Sequence, residues 1–528
     1  MDCLLKLRNL QRIYLYISMK KRDLALFAPL AFALPVGAAE NMRPDIILFM
    51  VDDMGWQDTS VPFADSITAY NRMYHTPNME RLAAQGVKFT QAYACSISSP
   101  SRCSLITGAN NARHGVTNWT MQRDETTDGV RVGITLPRWN VNGVQQVEGT
   151  PDSYVGRSFV DLLRSSGYHT IHCGKAHFGA KDTPGESPQH WGFEVNIAGH
   201  AAGGLATYLS ELNYGHDAQG NPMAYNAVPG LEKYWGTGTF VTEALTQEAL
   251  KALDKAALYN QPYFLYMAHY AVHIPIDRDP RFYDSYIAEG LSPKDAAYAS
   301  LVEGMDKSLG DIMDWVEKKG RPENTIIIFM SDNGGLATQS DWREGPLNTQ
   351  NAPLRSGKGS LLEGGIREPM IVSWPGVAKP GTENSNYVMI EDFYPSILEM
   401  AQVQWKPEPG KPVDGVSFVP IIKGEATTPA DRELIWNFPN VWGNEGPAIN
   451  LCAAIRRGPW KLIYHYDTGE KELYNVPADI GESNNLASKE KATVKMLSRR
   501  LGERLREMNA MRPSFTATGR PCPWPDEI

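Results

Sequence analysis

Apolar and polar positions along the chain fall into two regimes. From Pro44 onward, short continuous apolar runs alternate with stretches of helical period, the pattern of a parallel sheet covered on both faces. Asp45 to Val51, Tyr168 to Cys173, Tyr263 to Ala268, Thr325 to Met330 and Pro369 to Trp374 read as strands. Thr76-Pro77 caps a helix that stops at Gly86, and Phe159 to Ser166 is helical. Tyr298, Leu301, Val302, Met305, Leu309, Ile312, Met313 and Val316 mark a longer helix ending at Gly320. After about residue 425 the pattern changes to short strands at Glu433 to Asn437, Ala453 to Arg456, Trp460 to Tyr466 and Glu472 to Val476. A closing helix carries Val494, Leu497, Leu501, Leu505 and Met508 on one face. The expected fold is therefore α/β, with a mixed, mostly parallel sheet between helices. A smaller C-terminal subdomain would hold an antiparallel sheet and a helix.

Polar residues interrupt this framework at informative places. Four strands end in reactive side chains: Asp52-Asp53, Lys175 with His177, His269 with His273, and Asp332-Asn333. Singly, each has an ordinary explanation as a turn, a cap or a hydrogen-bonded histidine. Ligands of open α/β sheets, however, bind beyond the carboxyl ends of the strands, so the four together point to one site. Three carboxylates and an amide carbonyl are hard oxygen donors, suited to calcium or magnesium rather than zinc. Lys175, Arg102 and Lys358 would add positive charge for a tetrahedral anion, and His177 and His273 are the candidate proton handlers.

The run Ser98-Ser99-Pro100-Ser101-Arg102-Cys103-Ser104-Leu105-Ile106-Thr107-Gly108 opens another helix, since Pro100 suits a first turn. Ser98 then sits where a helix N-terminus presents free N–H groups and positive potential, with Arg102 one turn on.

The formal net charge of −9 argues against a nucleic-acid partner, and it requires that any anion-binding pocket be locally positive. At the start of the chain, Met19 is a better initiator than Met1. Lys20, Lys21 and Arg22 form a basic region, Leu24 to Val36 an apolar one, and Gly37-Ala38-Ala39 a cleavage site. Residues 1–39 are read as a leader with a signal peptide, 40–425 as the catalytic domain and 426–528 as the C-terminal subdomain. The apolar run is too short for a stable membrane anchor, so export is expected, to a bacterial periplasm or outside the cell. The cysteines show no paired spacing.

The order of residues from Ser98 to Gly108 resembles the signature of the formylglycine-dependent (type I) sulfatases of the alkaline phosphatase superfamily. The resemblance fixes the register at Ser98, which alone has Pro two residues on and Arg four residues on. It extends over most of the chain after the leader. Pro44 to Gly55 resembles the opening strand with its metal-binding Asp pair, and Gly174-Lys175-Ala176-His177 the Gly-Lys-x-His element. His273-Ile274-Pro275 resembles the His-x-Pro element, Ser331 to Gly334 the second metal pair, and Leu354 to Ser360 with Glu363 to Arg367 the lysine-bearing segment.

The resemblance implies an alkaline-phosphatase-like fold. It also implies a calcium ion on Asp52, Asp53, Asp332 and Asn333, and conversion of Ser98 to formylglycine (3-oxoalanine), whose hydrate attacks sulfur. A serine at this position implies a serine-type sulfatase-maturating enzyme as partner. The other assigned catalytic residues are Arg102, Lys175, His177, His273 and Lys358. Within the family, His273 with Lys358 serves the leaving oxygen and His177 the release step.

Segments around Arg113 to Trp119, Ala268 to His273 and Asn437 to Trp442 resemble bacterial carbohydrate sulfatases. They nominate His114, Asn118, Trp119, His269, Asn440 and Trp442 for a sulfated galactose or N-acetylhexosamine unit. The alternatives are a phosphatase or phosphodiesterase of the same superfamily and a glycan-binding protein without catalysis.

Overall fold

The computed structural model describes residues 43–528 except 339 and 340, so the expected leader lies outside the described residues. The strands in chain order are β1 Asp45–Val51, β2 Val87–Tyr93, β3 His169–Gly174, β4 Val195–Ile197, β5 Tyr263–Ala268, β6 Thr325–Ser331, β7 Arg367–Ser373, β8 Thr382–Asn384 and β9 Val388–Met389. They form one sheet in the order β8-β2-β7-β6-β1-β5-β3-β4, with β9 also on β2. Only β7 runs against the others, pairing antiparallel with β2 and β6.

The continuous apolar run of β1 follows from burial on both faces. Ile46, Leu48 and Met50 enter one core, and Ile47, Phe49 and Val51 the other. Strands β5 and β6 divide their side chains in the same alternating way. The helices α1 Pro77–Gln85, α2 Ser98–Thr107, α3 Phe159–Ser165, α4 Val241–Ala256, α5 Pro293–Lys319 and α6 Phe393–Met400 cover the sheet. Residues of α2, α3 and α6 fill the first core, and those of α4 and α5 the second.

Strands β10 Glu433–Phe438, β11 Cys452–Arg457, β12 Trp460–His465 and β13 Lys471–Asn475 form the antiparallel sheet, followed by α7 Lys491–Glu507. One face of this sheet, with Trp436, Ala454 and Ile463, joins the first core. The other face, with Ile435, Ile455 and Leu462, packs on Leu497, Leu501 and Leu505 of α7.

Strand β2 escapes the apolar-run criterion because Lys88, Thr90 and Gln91 break its sequence. Helix α4 is quiet because much of its buried face is alanine. Thr76 does occupy the N-cap of α1, but its side chain accepts from Ser60 N at 2.8 Å instead of capping. Asp306 of α5 supplies the cap, accepting from Asn78 N at 3.0 Å and Met79 N at 2.7 Å.

Candidate active site

Register places the site. Val51 pairs with Ser331, and Met50 and Gly174 both pair with Ala268, so β6, β1, β5 and β3 end level with one another. The next residues of each strand therefore meet at one edge: Asp332-Asn333, Asp52-Asp53, His269 to His273, and Lys175 with His177. Helix α2 delivers Ser98 to the same point as its first residue, buried and with no side-chain cap to make.

Ser98 Oγ lies 3.0 Å from Asp52 Oδ1 and 3.1 Å from Asn333 Oδ1, and accepts from Lys175 Nζ at 2.9 Å. The carboxylates of Asp52, Asp53 and Asp332 are all buried and offer ligand atoms within 4.8 Å of one another. Each also faces its own cation. Lys175 Nζ is 2.7 Å from Asp52 Oδ2, Lys358 Nζ 2.7 Å from Asp53 Oδ2, and Arg102 Nε 2.8 Å from Asp332 Oδ2. Three negative charges and three positive ones therefore balance, leaving the site able to accept a divalent cation together with an anion.

Burial pushes the Asp52 carboxyl up to about 7, helped by Asp332 and Asp53 and opposed by Lys175. Burial also acts on Asp53 and Asp332, but there the cations win. Lys358 and Lys175 hold Asp53 well below the carboxylate range, and Arg102 and Lys175 hold Asp332 below it. The residual strain falls on Asp52, a carboxylate crowded by two others, and a cation would relieve it. Together with the all-oxygen donor set, this fits a hard divalent ion.

Both histidines are neutral, and their tautomers follow from their partners. Burial, with Lys358 beside it, lowers His273 to about 3. Its Nδ1–H donates to Ile274 O at 2.7 Å, leaving Nε2 as the free face, 3.7 Å from Asp53 Oδ2. Burial and Lys175 hold His177 well below its usual range. Its Nε2 lies 3.0 Å from Thr120 O and 2.8 Å from Ser99 Oγ. The carbonyl can only accept, so the proton sits on Nε2, and Nδ1 has no partner among the described residues. Asp53 and His177 both adopt positive φ, 60° and 56°, a costly backbone kept at the site.

A cavity of about 800 Å³ opens over this cluster, with Ser98, His177, His273 and Lys358 in its wall. Arg102 and Lys175 lie one layer deeper, fully buried. Of the residues nominated for sugar binding, Trp119 and Trp442 line the cavity, and Trp442 also covers Lys358, whose Nζ is 5.9 Å from the ring centroid.

The other four do not reach it. His269 turns into the second core, with Nε2 2.8 Å from Ser308 Oγ, and His114 is buried with Nε2 3.0 Å from Ser104 Oγ. Asn118 and Asn440 both donate to Asp128 Oδ1, at 2.8 and 3.0 Å, and join two loops. None of the four lines the cavity: each makes at least one hydrogen bond inside the fold, where an unmade one is costly, although His269 Nδ1 and Asn440 Oδ1 find no partner among the described residues.

Sequence reasoning missed Ser99 and Thr120, which orient His177. It also missed Trp342 in the cavity wall and the Gly203-Gly204 pair. A Cβ on Gly203 would lie 2.2 Å from His177 Cε1, and one on Gly204 2.7 Å from His273 Cε1, so only glycine lets this backbone close over both rings. The adjacent glycines were the one signal available.

The family model described as Sulfatase matches residues 44–403, and that described as N-sulphoglucosamine sulphohydrolase, C-terminal, matches residues 357–511. A protein of Formosa agariphila named Sulfatase is 30% identical over 506 residues, with 87% of each chain covered. The N-acetylgalactosamine-6-sulfatase of Homo sapiens is 28% identical over 435 residues, covering 78% of this chain and 74% of that one. Among solved structures, that of Ps i-CgsB in complex with k-i-k-neocarrahexaose matches with a TM-score of 0.68 and 26% identity. It covers 88% of this chain and 93% of that one.

Proposed function

Since the chain belongs to the sulfatase family and is a sulfuric ester hydrolase, we propose that it removes an O-sulfate from a galactose or N-acetylhexosamine unit of a glycan. The observation that carries this reading is the meeting of Ser98, three cation-paired carboxylates and two neutral histidines at the floor of one roomy cavity. Trp119, Trp342 and Trp442 in the wall suit sugar rings, which stack on aromatic faces. The human relative's name and the ligand of Ps i-CgsB support a carbohydrate substrate.

In this reading Asp52, Asp53, Asp332 and the Asn333 amide oxygen would hold calcium, which would supply positive charge to stabilise a sulfate in the transition state. Ser98 is converted to formylglycine by a serine-type maturating enzyme, which supplies a nucleophile able to release sulfate where a plain serine ester would persist. Lys175 and Lys358 draw the anion into an otherwise acidic protein, and Arg102 acts from behind Asp332. His273 presents Nε2 to the leaving oxygen, with the Lys358 ammonium beside it as a second donor. His177, with Nδ1 free, takes up a proton at residue 98 during release.

The metal cluster is all-carboxylate, without histidine, which favours one hard cation over the two zinc ions of the phosphatase alternative. Export to a bacterial periplasm completes the proposal.

Protein made with a serine-type maturating enzyme should yield a residue-98 peptide lighter by two hydrogens and release sulfate from a panel of position-defined sugar sulfates. Protein made without it should be nearly inactive. Full activity with unmodified serine would sink the mechanism. Turnover of aryl sulfates but no sugar sulfate would sink the substrate. Chelation should abolish activity, and calcium should restore it where zinc does not.

A further inference from the structure

The cavity holds a carboxylate that the mechanism does not use. Asp277 lies four residues beyond His273 and lines the same wall. Its Oδ2 is fixed twice, by Thr207 Oγ1 at 2.7 Å and by Tyr208 N at 2.8 Å. The Tyr208 hydroxyl in turn donates to His273 O at 2.9 Å and Tyr270 O at 2.8 Å. One short segment, Gly203 to Tyr208, therefore closes over both histidine rings, anchors the His273 backbone and clamps Asp277. The second acid in the wall, Asp217, differs in kind: it accepts from Gln219 N, Asn221 N and Asn221 Nδ2, all within its own turn. Both bonds to Asp277 fall on Oδ2, so Oδ1 has no donor among the described residues. Burial raises this carboxyl above its usual range, as expected of an acid short of donors.

We propose that Asp277 determines specificity by accepting a free hydroxyl of the sugar beside the scissile sulfate, and that it rejects sugars sulfated on that hydroxyl. The proposal rests on the glycan reading above. A sugar whose leaving oxygen faces His273 brings its neighbouring substituents to the clamp built on the same loop. A hydroxyl there gains a charge-assisted hydrogen bond, whereas a second sulfate would meet a fixed carboxylate. The inner end of the cavity selects an anion, and this part of its wall selects a neutral donor.

The test compares matured wild type with Asp277→Asn on four substrates: a monosulfated hexose, its deoxy analogue lacking the neighbouring hydroxyl, its disulfated counterpart, and an aryl sulfate. Ratios of kcat/KM within one preparation cancel the folded fraction. Asp277→Asn should lower the hexose-to-aryl ratio roughly 10- to 100-fold and erase the preference for hexose over its deoxy analogue. It should also narrow the gap between mono- and disulfated sugar. Thr207→Val, which removes one of the two bonds holding Oδ2, should move the ratios the same way by less. Unmoved ratios in Asp277→Asn, with wild type active on the hexose, would overturn this proposal alone. Wild type inactive on every hexose sulfate yet active on the aryl sulfate would overturn the glycan reading and this proposal with it.

Discussion

Lys358 illustrates how single contacts set the chemistry of this site. Its ammonium rests between the Asp53 carboxylate, 2.7 Å away, and the Trp442 ring. The next residue, Gly359, has φ +91°, and a Cβ there would fall 2.4 Å from two ring atoms of Trp442. Only glycine allows both the backbone turn and the close approach of the indole. Gly359→Ala should therefore push Trp442 off Lys358 and raise KM for a sugar sulfate roughly 10-fold, with a stability loss of about 1–3 kcal/mol. Steady-state kinetics beside a denaturant melt checks both, and an unchanged KM would show that the indole cover is dispensable. Lys175, Lys358 and Arg102 illustrate a second point. Each neutralises a buried carboxylate, so removing one cation would strand a charge and not merely delete a contact.

Helix α2 depends on its neighbours for more than packing. Beyond its end, Asn110 Nδ2 donates to Glu391 Oε1 at 2.8 Å, while Glu391 Oε2 is buried without a partner among the described residues. Burial, reinforced by Asp392, pushes the Glu391 carboxyl up to about 8. The folded value lies above the unfolded one, so the folded chain keeps a proton that the unfolded chain releases at neutral pH. This contribution is complete below about pH 4.5 and is lost as pH rises through about 8. Glu391→Gln, always neutral, should gain roughly 2–4 kcal/mol over wild type at pH 9 and almost nothing at pH 4. Denaturant midpoints at the two pH values test this, and equal differences at both would refute it. The N-terminus of α1 makes a related point. Its cap is Asp306, 228 residues from Asn78 in sequence, which no local pattern announces.

At the scale of the molecule, the C-terminal sheet is built into the site. The loop between β10 and β11 carries Trp442 into the cavity wall and pairs with the Lys358 turn, Leu361 N donating to Ala448 O at 2.9 Å. Beneath that turn, Lys461 of β12 pairs with Glu363 at 3.0 Å and Glu482 at 2.9 Å, all three buried. Trp436, Phe438, Ile463 and Tyr474 share a core with the main sheet. A chain ending at residue 425 would expose that core and leave Glu363 without Lys461. It should give no cooperative melt, whereas the full chain should unfold in one transition. A stable, folded fragment 40–425 would contradict this.

The sequence determined the strands that carry the site and what stands at their ends. A strand buried on both faces must be apolar throughout, so Asp52, Lys175, His273 and Asp332 stood out as departures, and the helix signature singled out Ser98 and Arg102. Tertiary structure alone decided which polar side chains face the cavity. His114 and His269 looked as reactive as His177 and His273, yet they bond inside the cores, and Asn118 and Asn440 meet on Asp128. Asp277 showed no pattern at all until Thr207 and Tyr208 were seen to clamp it. Periodicity reports whether a position is buried, a property of one segment. Which distant donor fills which acceptor depends on segments meeting in space, and that is settled only when the chain has folded.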